Sequence, residues 1–394
     1  MEFLGYHYYK LYRIFLLSLG LWPYSDSFFK RIYAIFCIFT ILFLITAQLL
    51  KLFTMEYNLE FVLNDLSFAI PSIVYLLKYS TFYIQSQKIK ELMERIQIDW
   101  NALQDEKEIE IIRKYAKTAR RYMYAFVGIA YPGTVGYVSL PFLPDILDIV
   151  APLNESRARN LPFLVEYFLD EQKYFYLILL HMTITLIIGI VTIVSTETLT
   201  FAYIYHICGM FEIVSYRITC ALDKSILLRL NKENTIYMKL INAIEIHQRA
   251  FEFFEYFTST FTLSYFILIV LGVASLSINL FRLFQVATLP DQQNDLVLFI
   301  TIFVTGHFYY MFIANYMGQK IIDNSNEIFR KAYDTQWYMT SVPTQKLLLF
   351  MMQRSMKSCK WVMANLYCVS LEQFTTVTCV VDMKINLTSK FAPK

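Results

Sequence analysis

Seven stretches of this chain are each long and apolar enough to cross a lipid bilayer. They fall at residues 31–53, 59–84, 122–142, 174–200, 256–281, 296–319 and 361–382. Each reaches about 20 residues or more, which at about 1.5 Å of rise per residue crosses roughly 30 Å of hydrocarbon. The expected fold class is all-α, a seven-transmembrane helical membrane protein.

The basic residues give that bundle a direction. Twenty-six of the 35 Lys and Arg lie at or before the start of the first span or in the second, fourth and sixth connections. The opposite side holds seven, Arg157, Arg159, Lys173, Arg282, Lys384, Lys390 and Lys394. Positive charge stays cytoplasmic, so the amino terminus is expected inside and the carboxyl terminus outside. That is opposite to a G-protein-coupled receptor. Both N-x-S/T sequons, at Asn154 and Asn386, fall on the outer side. Asn154 lies in a long polar connection and is the candidate glycosylation site, whereas Asn386 follows the last span too closely.

A chain that is 57% hydrophobic and 17% charged is a membrane protein by composition. Its net charge of +3 leaves no nucleic-acid footprint, and topology accounts for the basic bias. The six cysteines, Cys37, Cys208, Cys220, Cys359, Cys368 and Cys379, lie in spans or on the inner side. None has metal-ligand spacing or a place in an extracellular disulfide. A short apolar run, Ile14 to Leu19, follows Lys10 and Arg13, but Trp22-Pro23 stands where a signal-peptide cleavage site belongs. It reads as an interfacial helix on the inner leaflet.

The inner connections read as helix. Between 232 and 254, Ile236, Leu240, Ile244, Phe251 and Phe254 recur at three- to four-residue steps among charges. Between 320 and 360, Leu347, Phe350, Met351 and Met352 lie among Lys346, Arg354 and Lys357. The helices are expected to continue past the membrane and associate beneath it. The outer connection 143–173, with Pro144, Pro152 and Pro162, is expected to form an irregular lid.

Four local patterns resemble insect odorant receptors of the seven-transmembrane chemoreceptor superfamily. Leu19-Gly20-Leu21-Trp22-Pro23 is similar to a stretch common before their first span. Gly318, Ser325, Ala332, Tyr333 and Trp337 match their spaced Gly…Ser…Ala-Tyr…Trp pattern, and Ser370-Leu371-Glu372-Gln373-Phe374 looks like their Ser-Leu-Glu-Thr-Phe. Asn160-Leu161-Pro162-Phe163 also fits. The chain departs from the family where the last span closes, with Val381-Asp382-Met383-Lys384 in place of a Ser-Tyr-aromatic cluster. It lacks the long fourth-connection insertion of the shared co-receptor, so it resembles a ligand-tuning subunit.

The resemblance implies an odorant-gated cation channel in the plasma membrane of olfactory sensory neuron dendrites. It implies a heterotetramer with an odorant co-receptor, a small volatile ligand, and neither enzymatic activity nor a cofactor. Residues 1–360 would form the ligand-binding bundle, with a cytoplasmic anchor from 85–121, 206–255 and 320–360. Residues 361–394 would supply the pore-lining span and an extracellular tail. The composition of the last span suits that role, with Glu372, Thr375, Thr378 and Asp382 as polar pore candidates and Val377 and Val381 as an apolar constriction.

Helical periodicity nominates the ligand site. Phe68, Ser72 and Tyr75 share a face of the second span, along with Asp65 and Tyr79. His181 and Thr185 share one in the fourth, and Phe303, His307 and Tyr310 in the sixth. Tyr131 and Tyr137 flank an expected kink at Pro132 in the third. An aromatic cavity with a few hydroxyl and imidazole groups suits small apolar volatiles. Asp65 and Lys78 need partners, and Lys78 is long enough to snorkel inward.

The nearest alternative is a gustatory-type channel of the same superfamily, because Gln373-Phe374 resembles its closing motif. A G-protein-coupled receptor is disfavoured by topology and by the missing Asp-Arg-Tyr and Asn-Pro-x-x-Tyr motifs. No His-Glu-x-x-His, Gly-x-Ser-x-Gly or phosphate loop points to catalysis or a metal site.

Overall fold

The computed structural model describes residues 5–55, 58–150, 157, 159, 161–223, 233–287 and 294–379. Among the described residues ten α-helices precede a short hairpin: α1 (Tyr6–Ser18), α2 (Phe28–Thr54), α3 (Leu59–Ile84), α4 (Ser86–Ala102) and α5 (Glu106–Ser139), then α6 (Leu143–Val150), α7 (Phe175–Ala221), α8 (Glu233–Ala287), α9 (Asn294–Tyr333) and α10 (Val342–Met356). The hairpin pairs β1 (Val362–Met363) with β2 (Tyr367–Cys368). A final helix, α11, runs from 371 to 379, where the described residues end. Six of these helices are long and apolar enough to cross a membrane among the described residues.

Local chemistry sets several boundaries. Asn58 caps α3 by accepting from the Glu60 amide at 3.0 Å, and Asp105 caps α5 through the Lys107 amide at 2.8 Å. Each occupies one of the free donors that open a helix. At the end of α1 the Leu21 amide reaches back to the Leu16 carbonyl at 2.8 Å while Gly20 takes φ +67°. That left-handed residue closes the helix and turns Leu21 and Trp22 into the core. The Leu-Gly-Leu-Trp-Pro stretch is therefore a helix stop with a buried anchor, held further by the Tyr79 hydroxyl on the Leu19 carbonyl at 2.8 Å. α5 runs through Pro132 as one helix.

α7, α8 and α9 contain 47, 55 and 40 residues, about 70, 80 and 60 Å of helix, so each outruns a bilayer roughly two-fold or more. Their second cohesive region lies at one end. Every residue of α7 from 194 to 211 is buried, enclosed by α1, α4, α5, α8 and α9, whereas most of the third span is not. Polar cross-links pin this end together. Arg217 forks onto Glu108 at 2.7 and 2.8 Å and donates to the Asn242 carbonyl, joining α7, α5 and α8. Asp99 of α4 holds His206 of α7 at 3.0 Å and Arg249 of α8 at 2.7 Å.

His247 makes this end sensitive to acid. It is 4% exposed, packed between Phe211 and Phe251, and burial, with the nearby Arg354 charge, pushes its pKa from 6.5 down to about 4. Between those values the unfolded chain binds a proton that the folded one excludes. Stability is thus complete above pH about 6.5 and falls on acidification toward 4, by on the order of 3 kcal/mol. His247→Leu is expected to shrink the difference in melting temperature between pH 7 and pH 5, measured on detergent-solubilised protein; an unaltered difference would place the acid sensitivity elsewhere.

Two expected segments take another form. The connection expected as an irregular lid over 143–173 begins with a helix, α6, and its Asp145 and Asp148 hold Arg159 at 2.9 Å and Arg157 at 2.6 Å. The residues of a single expected span over 361–382 first form the hairpin. Ala364 and Asn365 both take left-handed φ, 49° and 55°, and the Leu366 amide closes the turn on the Met363 carbonyl at 2.9 Å. A helix cannot pass through two such residues.

Candidate functional site

A cavity of about 510 Å³ lies among α3, α5, α7, α8 and α9. Its walls are mostly aromatic. Phe68 stacks on Phe163 with centroids 5.2 Å apart, Phe299 stacks on Phe303 at 6.4 Å, and Tyr137 lies against Phe299 at 6.0 Å. Phe163 comes from the connection between α6 and α7, so that segment closes the cavity beside α3. Ile129 of α5 and Ile302 and Tyr309 of α9 line the cavity while remaining exposed, which sets its mouth between those two helices.

The polar groups are few, and five of them are occupied by the protein. The Ser72 and Thr134 hydroxyls each donate to a carbonyl one turn back, at 3.0 and 2.8 Å. His307 Nδ1 donates to the Phe303 carbonyl at 2.9 Å, which leaves Nε2 to accept from Ser275 at 2.9 Å. Tyr310 donates to Glu197 at 2.5 Å. The Tyr137 hydroxyl is buried without a partner among the described residues. A buried hydroxyl left unpaired costs about 1–3 kcal/mol, so a ligand oxygen beside it gains what the protein leaves unsatisfied.

Seven sequence-nominated residues line this cavity together: Phe68, Ser72, Tyr75, Tyr137, Phe303, His307 and Tyr310. Tyr131, His181 and Thr185 do not. His181 bonds the Tyr167 hydroxyl at 2.7 Å and packs on Phe43 of α2, while Thr185, wholly buried, donates to the His181 carbonyl. On α7 the cavity is met by Met182, Leu186 and Ile190. One residue along a helix rotates the side chain about 100°, so a correct periodicity placed on His181 selected the face beside the cavity.

Lys78 does not snorkel. It is 2% exposed and pairs with Glu197 of α7. Glu197 is the functional candidate that periodicity missed. Its signal was a lone carboxylate within the fourth span facing a lone lysine in the second, each requiring a partner in hydrocarbon. The Asp65 carboxylate is buried and has no hydrogen-bond partner among the described residues.

α11 is two-faced. Phe374 packs on Phe312 at 5.6 Å, and Val377 lies against the apolar cluster of α8 and α9. Glu372, Thr375 and Thr376 are exposed on the other side, and Thr378 is half-buried. Val377 therefore belongs to the packed face, because it follows Phe374 by one turn. Val381 and Asp382 lie outside the described residues, as does Asn154. The start of α11 is fixed by side chains of α9: Asn315 Oδ1 accepts from the Tyr367 hydroxyl at 2.8 Å and the Ser370 amide at 3.2 Å, and Gln319 accepts from the Leu371 amide at 3.3 Å. Gly318, Ser325 and Ala332 form a seven-residue repeat of small residues along α9. Val369 lies directly on Gly318, and Ser325 accepts from the Cys359 amide at 3.1 Å.

The 7tm odorant receptor family matches residues 58–381. Among solved structures, the insect olfactory receptor OR5 from Machilis hrabei in complex with eugenol is 14% identical, with a TM-score of 0.80 over 98% of both chains. The same receptor without that ligand is 13% identical, with a TM-score of 0.81 over 97% of each. At these identities the structural likeness concerns the fold alone. No curated protein matches the chain.

Proposed function

The chain belongs to the 7tm odorant receptor family, and from that premise we propose that it is the ligand-tuning subunit of a heteromeric, odorant-gated, non-selective cation channel. Its ligand is a small, largely apolar volatile with one hydrogen-bonding oxygen. Its partner is the family's co-receptor, in a heterotetramer in the plasma membrane of olfactory sensory neuron dendrites, with the amino terminus inside. The observation that carries this reading is the aromatic cavity with the buried Tyr137 hydroxyl, which has no partner among the described residues. A receptor of the same fold in complex with eugenol supports it. α11, with its exposed Glu372, Thr375 and Thr376, is the pore helix in this assembly, and the long inner ends of α7, α8 and α9 anchor it.

Whole-cell recording tests the proposal. Cells expressing the chain with an odorant co-receptor should pass a fast cation current to some members of a volatile panel, and the current should persist under G-protein blockade. Surface-confirmed protein that stays silent with the co-receptor would overturn it. Removing the Tyr137 hydroxyl sharpens the ligand class. Tyr137→Phe is expected to raise the half-maximal concentration of alcohols and phenols about 2- to 10-fold, the equivalent of one ordinary hydrogen bond. Hydrocarbons of the same shape should keep theirs, as dose–response curves for matched pairs will show.

A further inference from the structure

Below the cavity, four helices each send one polar side chain to a single buried point. Lys78 of α3 pairs with Glu197 of α7, their side chains 2% and 4% exposed. Tyr310 of α9 donates to one Glu197 oxygen at 2.5 Å. Tyr265 of α8 lies 3.2 Å from the other and 3.0 Å from the Thr200 hydroxyl, and the Lys78 ammonium stands 4.7 Å above its ring. A buried ion pair is a poor source of stability compared with well-packed apolar residues, so stability alone does not explain it.

The cluster faces two ways. Tyr310 also lines the large cavity, and Glu197, Tyr265 and Tyr310 line an adjoining void of about 60 Å³. Trp361, Tyr367 and Asn315 line the same void. These are the residues that hold α11: Trp361 packs on Tyr265 at 5.0 Å and donates to Thr262 at 3.1 Å, and Asn315 accepts from both Tyr367 and the Ser370 amide. Dense interiors move between discrete packings, and a void beside three rings supplies room for a second one.

We infer that Glu197 is a positioning residue that couples the cavity to the last helix. Tyr310 registers the ligand, its hydroxyl sets the Glu197 carboxylate, and Tyr265 and Trp361 transmit that setting to the seat of α11. This rests on the reading of the large cavity as the odorant site. Ligand then opens the channel to the extent that it favours one arrangement of this cluster over the other.

Tyr310→Phe removes only the hydroxyl that Glu197 already occupies. With the co-receptor present, it is expected to change the ligand-independent current per surface receptor and to shift the half-maximal concentrations of chemically unlike agonists by one common factor, about tenfold. Tyr265→Phe should move both quantities in the same manner. Lys78→Met with Glu197→Gln keeps an acceptor for Tyr310 without either charge, and it is expected to respond more nearly like wild type than Lys78→Met alone. Shifts confined to agonists bearing a hydrogen-bonding group would make Tyr310 an ordinary ligand contact and overturn the inference. So would unchanged basal current and sensitivity in both tyrosine variants. A silent wild type would instead sink the odorant-channel reading, and this inference with it.

Discussion

Gly318→Ala is expected to remove most of the ligand-evoked current, at least about tenfold, while the protein still reaches the cell surface. A β-carbon at 318 would stand 2.2 Å from the Val369 carbonyl oxygen and 2.7 Å from its Cγ1. The first contact is with backbone, which cannot swing aside as the end of a side chain can. Val369 is also tied, because its amide donates to the Trp361 carbonyl at 2.9 Å and so closes the hairpin. The added methyl must therefore lift the whole hairpin off α9 and take the first turn of α11 with it. Overpacking of this kind costs about 1–3 kcal/mol, partly offset by the roughly 1 kcal/mol that alanine contributes over glycine within a helix. The helix survives and the seat of α11 does not. Current normalised to surface labelling separates the two effects. Wild-type amplitude in Gly318→Ala would mean that the hairpin can leave α9 without consequence for gating.

How much of this was legible in the sequence depends on which interaction fixed each element. Apolar runs of bilayer length give helices wherever they occur, so the first six spans stand where composition placed them. Gly318, Ser325 and Ala332 stood in the sequence as part of a spaced family pattern, and the structure shows them as small residues seven apart along α9. The hairpin was hidden because Trp361, Val362 and Met363 are as apolar as any span, and only Asn365 hints at a left-handed turn. Lys78 was left open between a partner and the membrane surface for a related reason. A long side chain can reach the membrane surface or a partner, and the choice depends on where Glu197, more than a hundred residues later, comes to lie. Tertiary placement also separates Met182 from His181. Both lie on the fourth span and both suit a ligand site, but α2 packs against one face and leaves the next to the cavity. The exposed stripe of Glu372, Thr375 and Thr376 is legible in both sequence and structure, since polar residues at helical spacing with nothing packed on them await another surface.

A size series at Gly306 addresses the cavity directly. Gly306 lines it from α9, between Phe303 and Tyr310, and a β-carbon added there meets no atom within 4 Å. Gly306 is exposed at the cavity's rim, so Gly306→Ala leaves the cavity open, whereas Gly306→Leu and Gly306→Trp place progressively more side chain at that rim. A tryptophan buries about 150–250 Å², apolar area that a ligand of similar size would otherwise cover. Losing even half of that contact at about 25 cal/mol per Å² removes on the order of 2–3 kcal/mol of ligand binding. The half-maximal concentration is thus expected to change little for alanine, to rise for leucine, and to rise roughly 100-fold for tryptophan. Surface level and ligand-independent current should stay constant for alanine, because its β-carbon meets no atom within 4 Å. Equal losses for alanine and tryptophan would show that the helix backbone, not the cavity, governs the response. A graded loss places the ligand within reach of α9, beside the tyrosine that bonds Glu197.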